Sequence, residues 1–316
     1  VLVTGGAGFI GSHLSNALLA RGDEVVCLDN LDDFYDPAVK RRNLTLLNRD
    51  VGFTFLEGDI RDTERVQRLG KTHSIDAIMH LAARAGVRPS ICEPALYADV
   101  NLGGTSNLLE LAREHSIRNF VFASSSSVYG ERRDIPFRES DPVDHPVSPY
   151  AATKKAGELL GYTYHHLYDL NVTCLRLFTV YGPRQRPEMA IHKFTRLIHA
   201  GESIPLYGDG SARRDFTYID DIVDGMVRSL DQNHGYSIYN LGNHRMVSLR
   251  ELIELISTAL GKDTQVQELP PQPGDVSQTC AEITLAQDKL GYAPSTSIEQ
   301  GVEQFVEWYQ KEQAQT

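Results

Sequence analysis

Four consecutive serines, Ser124 to Ser127, close an apolar and β-branched run, NFVFASSSS, and further along stand a tyrosine and a lysine four positions apart, Tyr150 and Lys154. Residues four apart share one face of a helix. An ammonium beside a phenol favours the phenolate, because an opposite charge within a few ångströms lowers an acid's pKa. Hydroxyls at a strand end beside such a pair make a base out of a tyrosine.

Elements able to position this group are legible along the chain. VLVTGGAGFIGSHLSNALLARG begins apolar, breaks at Gly5, Gly6, Gly8 and Gly11, and resumes with Leu14, Ala17 and Leu18 at helical spacing. Strand, glycine turn and helix in that order suit a pyrophosphate, which sits on the free N–H groups of the helix start. EVVCLDN reads as a second strand whose Asp29 is placed to accept from the adenosine ribose hydroxyls and to repel a 2′-phosphate, favouring NAD over NADP. The third strand, FTFLEGDIRD, is expected to end at Asp59 and Ile60. Those two could hold the adenine edge, unless Asp59 or Asp62 simply caps the next helix.

IDAIMHLAAR reads as a fourth strand with Ala82 and Ala83 suited to close approach to a cofactor, and with His80 as a satisfied core histidine rather than a base. ALYADVNLGGTSNLLELAREH is expected to be one long helix in which Asn101 hydrogen-bonds the central strand. NFVFASSSS is the fifth strand, YAATKKAGELLGYTYHHLYDL a helix, and VTCLRLFTVYGP a sixth strand running to Thr179 and Tyr181. Such alternation predicts an α/β fold with a Rossmann-like, doubly wound parallel sheet, with ligands gathered at the carboxyl ends of its strands.

Past residue 178 the chain becomes rich in Arg, Gly and Pro. We read 1–178 as the NAD-binding domain, with a segment near 215–242, including the strand SIYNLGN, returning to its sheet. Residues 179–316 are read as mostly a smaller, lid-like α/β substrate domain with helices at SLRELIELISTALG and SIEQGVEQFVEWYQK.

Composition narrows the function classes. A hydrophobic content of 41% and a charged content of 23% belong to an ordinary globular protein, and no apolar run is long enough to span a bilayer. The first residue already sits in a strand, so no secretory signal is expected and the location is expected to be cytoplasmic. Cys27, Cys92, Cys174 and Cys280 are scattered, which speaks against zinc or any other metal site and for idle or buried thiols. A net charge of −11 disfavours nucleic acid. An anionic small molecule held by locally clustered arginines remains compatible with it. Arg41 and Arg42 read as a solvated helix face.

The sequence resembles the extended branch of the short-chain dehydrogenase/reductases, the nucleotide-sugar epimerases and dehydratases. The matching stretches are TGGAGFIG at 4–11, DN at 29–30, GDI at 58–60, HLAA at 80–83, SSSSVYG at 124–130, YAATK at 150–154 and RDFTYIDDIV at 214–223. Within that branch, NLDDFYDPAVKRRN, AGVRPSI, FTVYGPRQRPEMAIHKF and PGDV look most like UDP-glucuronate 4-epimerases. The resemblance implies NAD contacts at Gly5, Gly8, Phe9, Ile10, Gly11, Asp29, Asn30, Asp59, Ile60, Leu81, Ala82, Ala83, Asn101, Tyr150 and Lys154. It implies a catalytic Ser125, Tyr150 and Lys154: the phenolate takes the sugar 4-hydroxyl proton as hydride leaves C4 for the nicotinamide, Lys154 binds the ribose and lowers the Tyr pKa, and Ser125 orients the hydroxyl. Bringing a tyrosine from about 10 to near 7 requires about 4 kcal/mol. The ammonium and the positive nicotinamide together could supply it.

A 4-keto glucuronate is a β-keto acid and loses CO2 if its carboxylate turns freely. Ser126, Ser127, Thr179 and Arg186 are candidates to fix that carboxylate by hydrogen bonds, and the hydroxyls at 126 and 127 replace the acidic residues of related dehydratases. Arg88, Arg214 and Asp275 are candidates for the UDP moiety, with Arg213 read as a surface charge. Gln272 stands where many relatives carry an arginine. The expected reaction is conversion of UDP-glucuronate to UDP-galacturonate; the alternatives are a UDP-hexose 4-epimerase, a UDP-glucuronate decarboxylase or a non-catalytic NAD sensor. The resemblance also implies a homodimer formed by the helices near 97–115 and 150–168.

Overall fold

The computed structural model describes residues 1–232, 234–270 and 276–314. Twelve strands are present among them: β1 Leu2–Thr4, β2 Val25–Asp29, β3 Phe53–Glu57, β4 Ala77–His80, β5 Asn119–Ser125, β6 Asn171–Leu177, β7 Thr179–Tyr181, β8 Ile204–Tyr207, β9 Arg213–Tyr218, β10 Tyr236–Leu241, β11 Met246–Ser248 and β12 Val266–Leu269. Seven of them form one sheet in the order β10-β6-β5-β4-β1-β2-β3. Every pair in it is parallel, so the expected α/β doubly wound sheet is observed.

Parallel strands covered on both faces read as continuous apolar runs. Accordingly, successive residues of one strand feed two separate cores. Val3, Met79 and Val121 join one cluster, which continues into the C-terminal half through Tyr181, Ile222 and Phe305. Leu2, Ile78 and Phe120 join the other, with Leu108, Leu111 and Val172.

The remaining strands make a three-stranded sheet, β11-β9-β7, and a pair, β12-β8. Two expectations need correction here. The sixth strand does not run on to Tyr181: it stops at Leu177, and Thr179–Tyr181 belongs to the three-stranded sheet. Phe178 is the pivot, its N–H donating to the Leu241 carbonyl at 3.0 Å as the chain leaves the main sheet. Likewise the third strand ends at Glu57, short of Asp59. The strand near SIYNLGN does return to the main sheet, as β10 beside β6.

The long helix expected around Asn101 is also interrupted. It runs Pro94–Ala98, opens into a π turn at Asp99–Gly103 and resumes at Gly104–Glu114. No helix among the described residues is long and apolar enough to cross a membrane.

Candidate active site

β1 delivers the chain into a turn whose first glycine, Gly5, has φ +72°, a left-handed conformation that favours glycine. A Cβ on Gly11 would lie 2.2 Å from the Gly5 carbonyl oxygen, so a side chain there would break the turn. In the helix that follows, Phe9–Arg21, Ser12 N–H donates to the Gly8 carbonyl at 3.0 Å. The N–H groups of Phe9, Ile10 and Gly11 precede that first bond and point out of the helix start, the arrangement that receives an anion.

Around this turn one cavity of about 290 Å³ is lined by Gly5, Gly8, Phe9, Ile10 and Gly11, by Asp29 and Asn30 after β2, and by Asp59 and Ile60 after β3. Leu81, Ala82 and Ala83 line it after β4, and Ser125, Tyr150, Lys154 and Arg186 line its reactive end. An elongated cradle with backbone donors at its middle and carboxylates at one end fits a dinucleotide. Asp29 accepts from Ala7 N–H at 3.1 Å and Leu31 N–H at 2.9 Å, so it braces the glycine turn as well as facing the cavity. Burial raises its pKa against the pull of Lys40, 4.0 Å away. Asp59 is held by Arg61 at 2.8 Å and by Asn30 at 3.0 Å, which keeps its pKa low. The helix cap is Asp62, accepting from Arg65 N–H at 3.0 Å.

Tyr150 and Lys154 stand in the first turns of the helix Pro149–Tyr168, which Ser148 caps by accepting from Ala151 N–H at 3.1 Å. Lys154 is 4% exposed; its Nζ donates to the Ala123 carbonyl at 2.7 Å and lies 5.9 Å from the Tyr150 ring centre. Burial lowers its pKa to about 8. The Tyr150 phenol is shifted upward, because burial outweighs the Ser125 hydrogen bond and the charge of Arg186. The expectation that Lys154 lowers the phenol pKa is therefore not met by the protein alone. Its ammonium is directed to a carbonyl, and burial acts on both groups in the direction that keeps them uncharged.

The serines divide in function. Ser124 is buried and donates to Glu158 Oε1 at 2.7 Å, so it belongs to the scaffold. Ser125 Oγ accepts from Ser127 N–H at 3.2 Å and Ser127 Oγ at 2.9 Å, leaving its own proton for Tyr150. Ser126 and Ser127 open a 3₁₀ turn, Ser126–Tyr129, and with Thr179 they stand outside the cavity lining.

Asn101 also stays off the cavity wall. Rather than bonding the central strand, its Oδ1 accepts from Arg84 N–H at 2.8 Å, and its Nδ2 donates to the Arg84 carbonyl at 3.1 Å and Thr153 Oγ1 at 3.0 Å. Arg88 stacks on Tyr207 with 5.5 Å between its guanidinium carbon and the ring centre, and Arg214 donates to the Arg213 carbonyl at 2.9 Å. Neither lines the cavity. Arg213 is exposed, while Asp275 and Gln272 lie outside the described residues. His80 is a core histidine as expected, bonded to Thr4 at 2.8 Å and Thr105 at 2.9 Å and held neutral by burial, with a pKa of about 3.

Among the cavity residues to which the sequence reading gave no role are Phe34, Tyr35, Lys40 and Arg84. The signal for the first three lay in NLDDFYDPAVKRRN, specific in pattern yet assigned no roles. Lys40 is buried on its helix, with Nζ donating to the Asp32 carbonyl at 2.9 Å, whereas its neighbours Arg41 and Arg42 are exposed.

Comparison with known proteins agrees with this geometry. The model of the GDP-mannose 4,6 dehydratase family matches residues 2–305. A UDP-glucuronate 4-epimerase of Thermodesulfobacterium geofontis is 44% identical over 308 residues, covering 97% of this chain and 95% of its own length. Among solved structures, a UDP-glucuronic acid 4-epimerase from Bacillus cereus in complex with UDP-glucuronic acid and NAD is 36% identical, with a TM-score of 0.91 over 98% of both chains. A UDP-glucose 4-epimerase from Thermotoga maritima with UDP-glucose reaches a TM-score of 0.92 at 34% identity over 99% of both chains. The chain belongs to the GDP-mannose 4,6 dehydratase family, within the extended short-chain dehydrogenase/reductases.

Proposed function

We propose that this chain is an NAD-dependent 4-epimerase that interconverts UDP-glucuronate and UDP-galacturonate through a 4-keto sugar while keeping the C6 carboxylate. Support at the level of the reaction comes from relatives that carry the UDP-glucuronate 4-epimerase name over nearly the full chain. The single observation that carries the choice of an acidic sugar is Arg186, a cation lining the same cavity end as Tyr150 and close enough to pull on its phenol.

In this reading Tyr150 removes the proton from the sugar 4-hydroxyl and later returns it. Ser125 holds that hydroxyl, and Lys154 turns from the Ala123 carbonyl to the nicotinamide ribose. NAD+, which the residues lining the cavity would hold, would supply a hydride acceptor and donor at the sugar C4 and a positive charge that favours the phenolate. Arg186, with Ser126, Ser127 and Thr179 at the neighbouring strand ends, restrains the carboxylate against the perpendicular geometry in which CO2 departs. Arg88, Arg214 and Asp275 are assigned to UDP, and residues 179–316 are assigned mostly to the half of the molecule that binds it.

Incubation with UDP-glucuronate and NMR of the anomeric proton tests the proposal. UDP-galacturonate is the expected product. Accumulation of UDP-xylose or a free 4-keto sugar, or comparable turnover of UDP-glucose, would sink it.

We also propose a homodimer through the two helical segments near 97–115 and 150–168. Leu159, Tyr162 and Leu167 are about half exposed on one side of the second of these, a larger apolar face than a solvated helix needs.

A further inference from the structure

Phe34, in the turn after β2, has a guanidinium carbon within cation–π range of its ring centre from each of two arginines, Arg84 at 5.3 Å and Arg186 at 5.7 Å. The two cations differ in how their charge is met. Arg84 is ion-paired to Asp32, and its backbone is fastened on both sides by Asn101. Arg186 is paired at 3.1 Å with Glu188, whose side chain is 45% exposed and belongs to the same loop.

The turn that carries the ring is braced. Asp32 accepts from Phe34 N–H at 2.9 Å, and Lys40 donates to the Asp32 carbonyl at 2.9 Å. A guanidinium over an aromatic face is oriented without being neutralised, so its donors and charge stay available to an anion. Glu188, which meets Arg186 at Nε, is an exposed carboxylate that a substrate carboxylate can displace.

We propose that Phe34 is a positioning residue for Arg186, holding its guanidinium so that it meets the C6 carboxylate of the sugar. The inference rests on the role given to Arg186 above. It makes the loop of the cofactor side, 32–35, a determinant of substrate charge selectivity, although Phe34 itself touches no reacting atom.

Calorimetric titration of the NAD-loaded protein with UDP-glucuronate and, separately, with UDP tests this, because UDP lacks the carboxylate. Phe34→Leu keeps a shorter apolar side chain and removes the ring. It is expected to weaken UDP-glucuronate roughly two- to tenfold while leaving UDP binding unchanged, and Phe34→Tyr is expected to restore the wild-type ratio. Arg186→Ala lowers the ratio at least as far, and adding Phe34→Leu to it brings no further loss. A wild-type ratio in Phe34→Leu, or an equal loss of both ligands, overturns the inference and leaves the Arg186 reading standing when Arg186→Ala still lowers the ratio. An unchanged ratio in Arg186→Ala overturns both.

Discussion

Lys154 is placed where burial works against its charge, and that cost is visible in its pKa. The fall from 10.5 to about 8 corresponds to about 3 kcal/mol of destabilisation of the charged form. The folded chain holds fewer protons than the unfolded one between those two values, so stability rises with pH across that window and carries the full penalty below about 8. Lys154→Met, which also abandons the hydrogen bond to Ala123, is expected to raise stability by about 1–2 kcal/mol at neutral pH. Thermal unfolding at pH 7 checks it, and a lower melting temperature would contradict it. The same substitution is expected to abolish turnover. Tyr150→Phe removes the proposed base with little change in volume, and is expected to cost a factor of about a thousand or more in rate, which anomeric-proton NMR of the product would follow.

Among the elements, the π turn at Asp99–Gly103 matters beyond its length. By adding a residue to the turn it brings Asn101 against both the Arg84 backbone and Thr153, whose hydroxyl in turn donates to the Tyr150 carbonyl at 2.8 Å. Asn101→Ala would leave the half-buried Arg84 N–H and carbonyl without those partners, so a loss of about 1–2 kcal/mol is expected in urea unfolding. The sequence marked Asn101 as polar inside an apolar helix and so worth a role. It could not show the partner, because a π turn has no residue signature and its register shift is decided by packing, here by Gly104 pressed so closely on Ile60 that a Cβ would lie 2.3 Å from it. The glycine turn, the strand-end serines and the Tyr-Lys spacing were legible because each depends on local backbone geometry. The end of β6 was not, since Leu177 and Thr179 carry similar strand propensity and the change of sheet is made by the Phe178 bond to Leu241. Phe34 and Arg84 were missed for the same kind of reason: their meeting joins turns after two different strands.

At the scale of the whole molecule, a buried ion pair ties the sheet to its surroundings. Arg176 on β6 is 1% exposed and Glu158 is fully buried; they meet through Nε–Oε1 and Nη2–Oε2 contacts, both 2.9 Å. From Arg176 the network passes to Tyr129 at 3.0 Å, then to Asn240 on β10 at 2.7 Å, and Asn240 reaches the carbonyls of Phe137 and Glu282 at 2.8 and 3.1 Å. Burial raises the Glu158 pKa, but the hydrogen bonds and charge of Arg176 outweigh it and hold the carboxyl below its ordinary value. Its stabilisation is complete above that ordinary value and is lost as pH falls through the lower folded one. Glu158→Gln strands the Arg176 charge and is expected to cost about 3–5 kcal/mol, read by denaturant unfolding at neutral pH. Replacing Leu159 and Tyr162 together by glutamate is expected to convert the proposed dimer to a monomer in sedimentation, with the fold retained because both side chains are half exposed.

The route of the chain also sets how far the molecule can be taken apart. β10 is supplied from residues 236–241, after the chain has already built β7, β8 and β9 in the other half. A fragment ending at Phe178 would keep every glycine of the dinucleotide turn and the Tyr150 helix, yet its sheet would end at β6, where six of seven residues are buried in the intact protein. That apolar edge, bared of its neighbour, is a template for pairing with other chains. The two halves are therefore not separable modules, and grafting a different C-terminal half at residue 178 would have to bring its own closing strand.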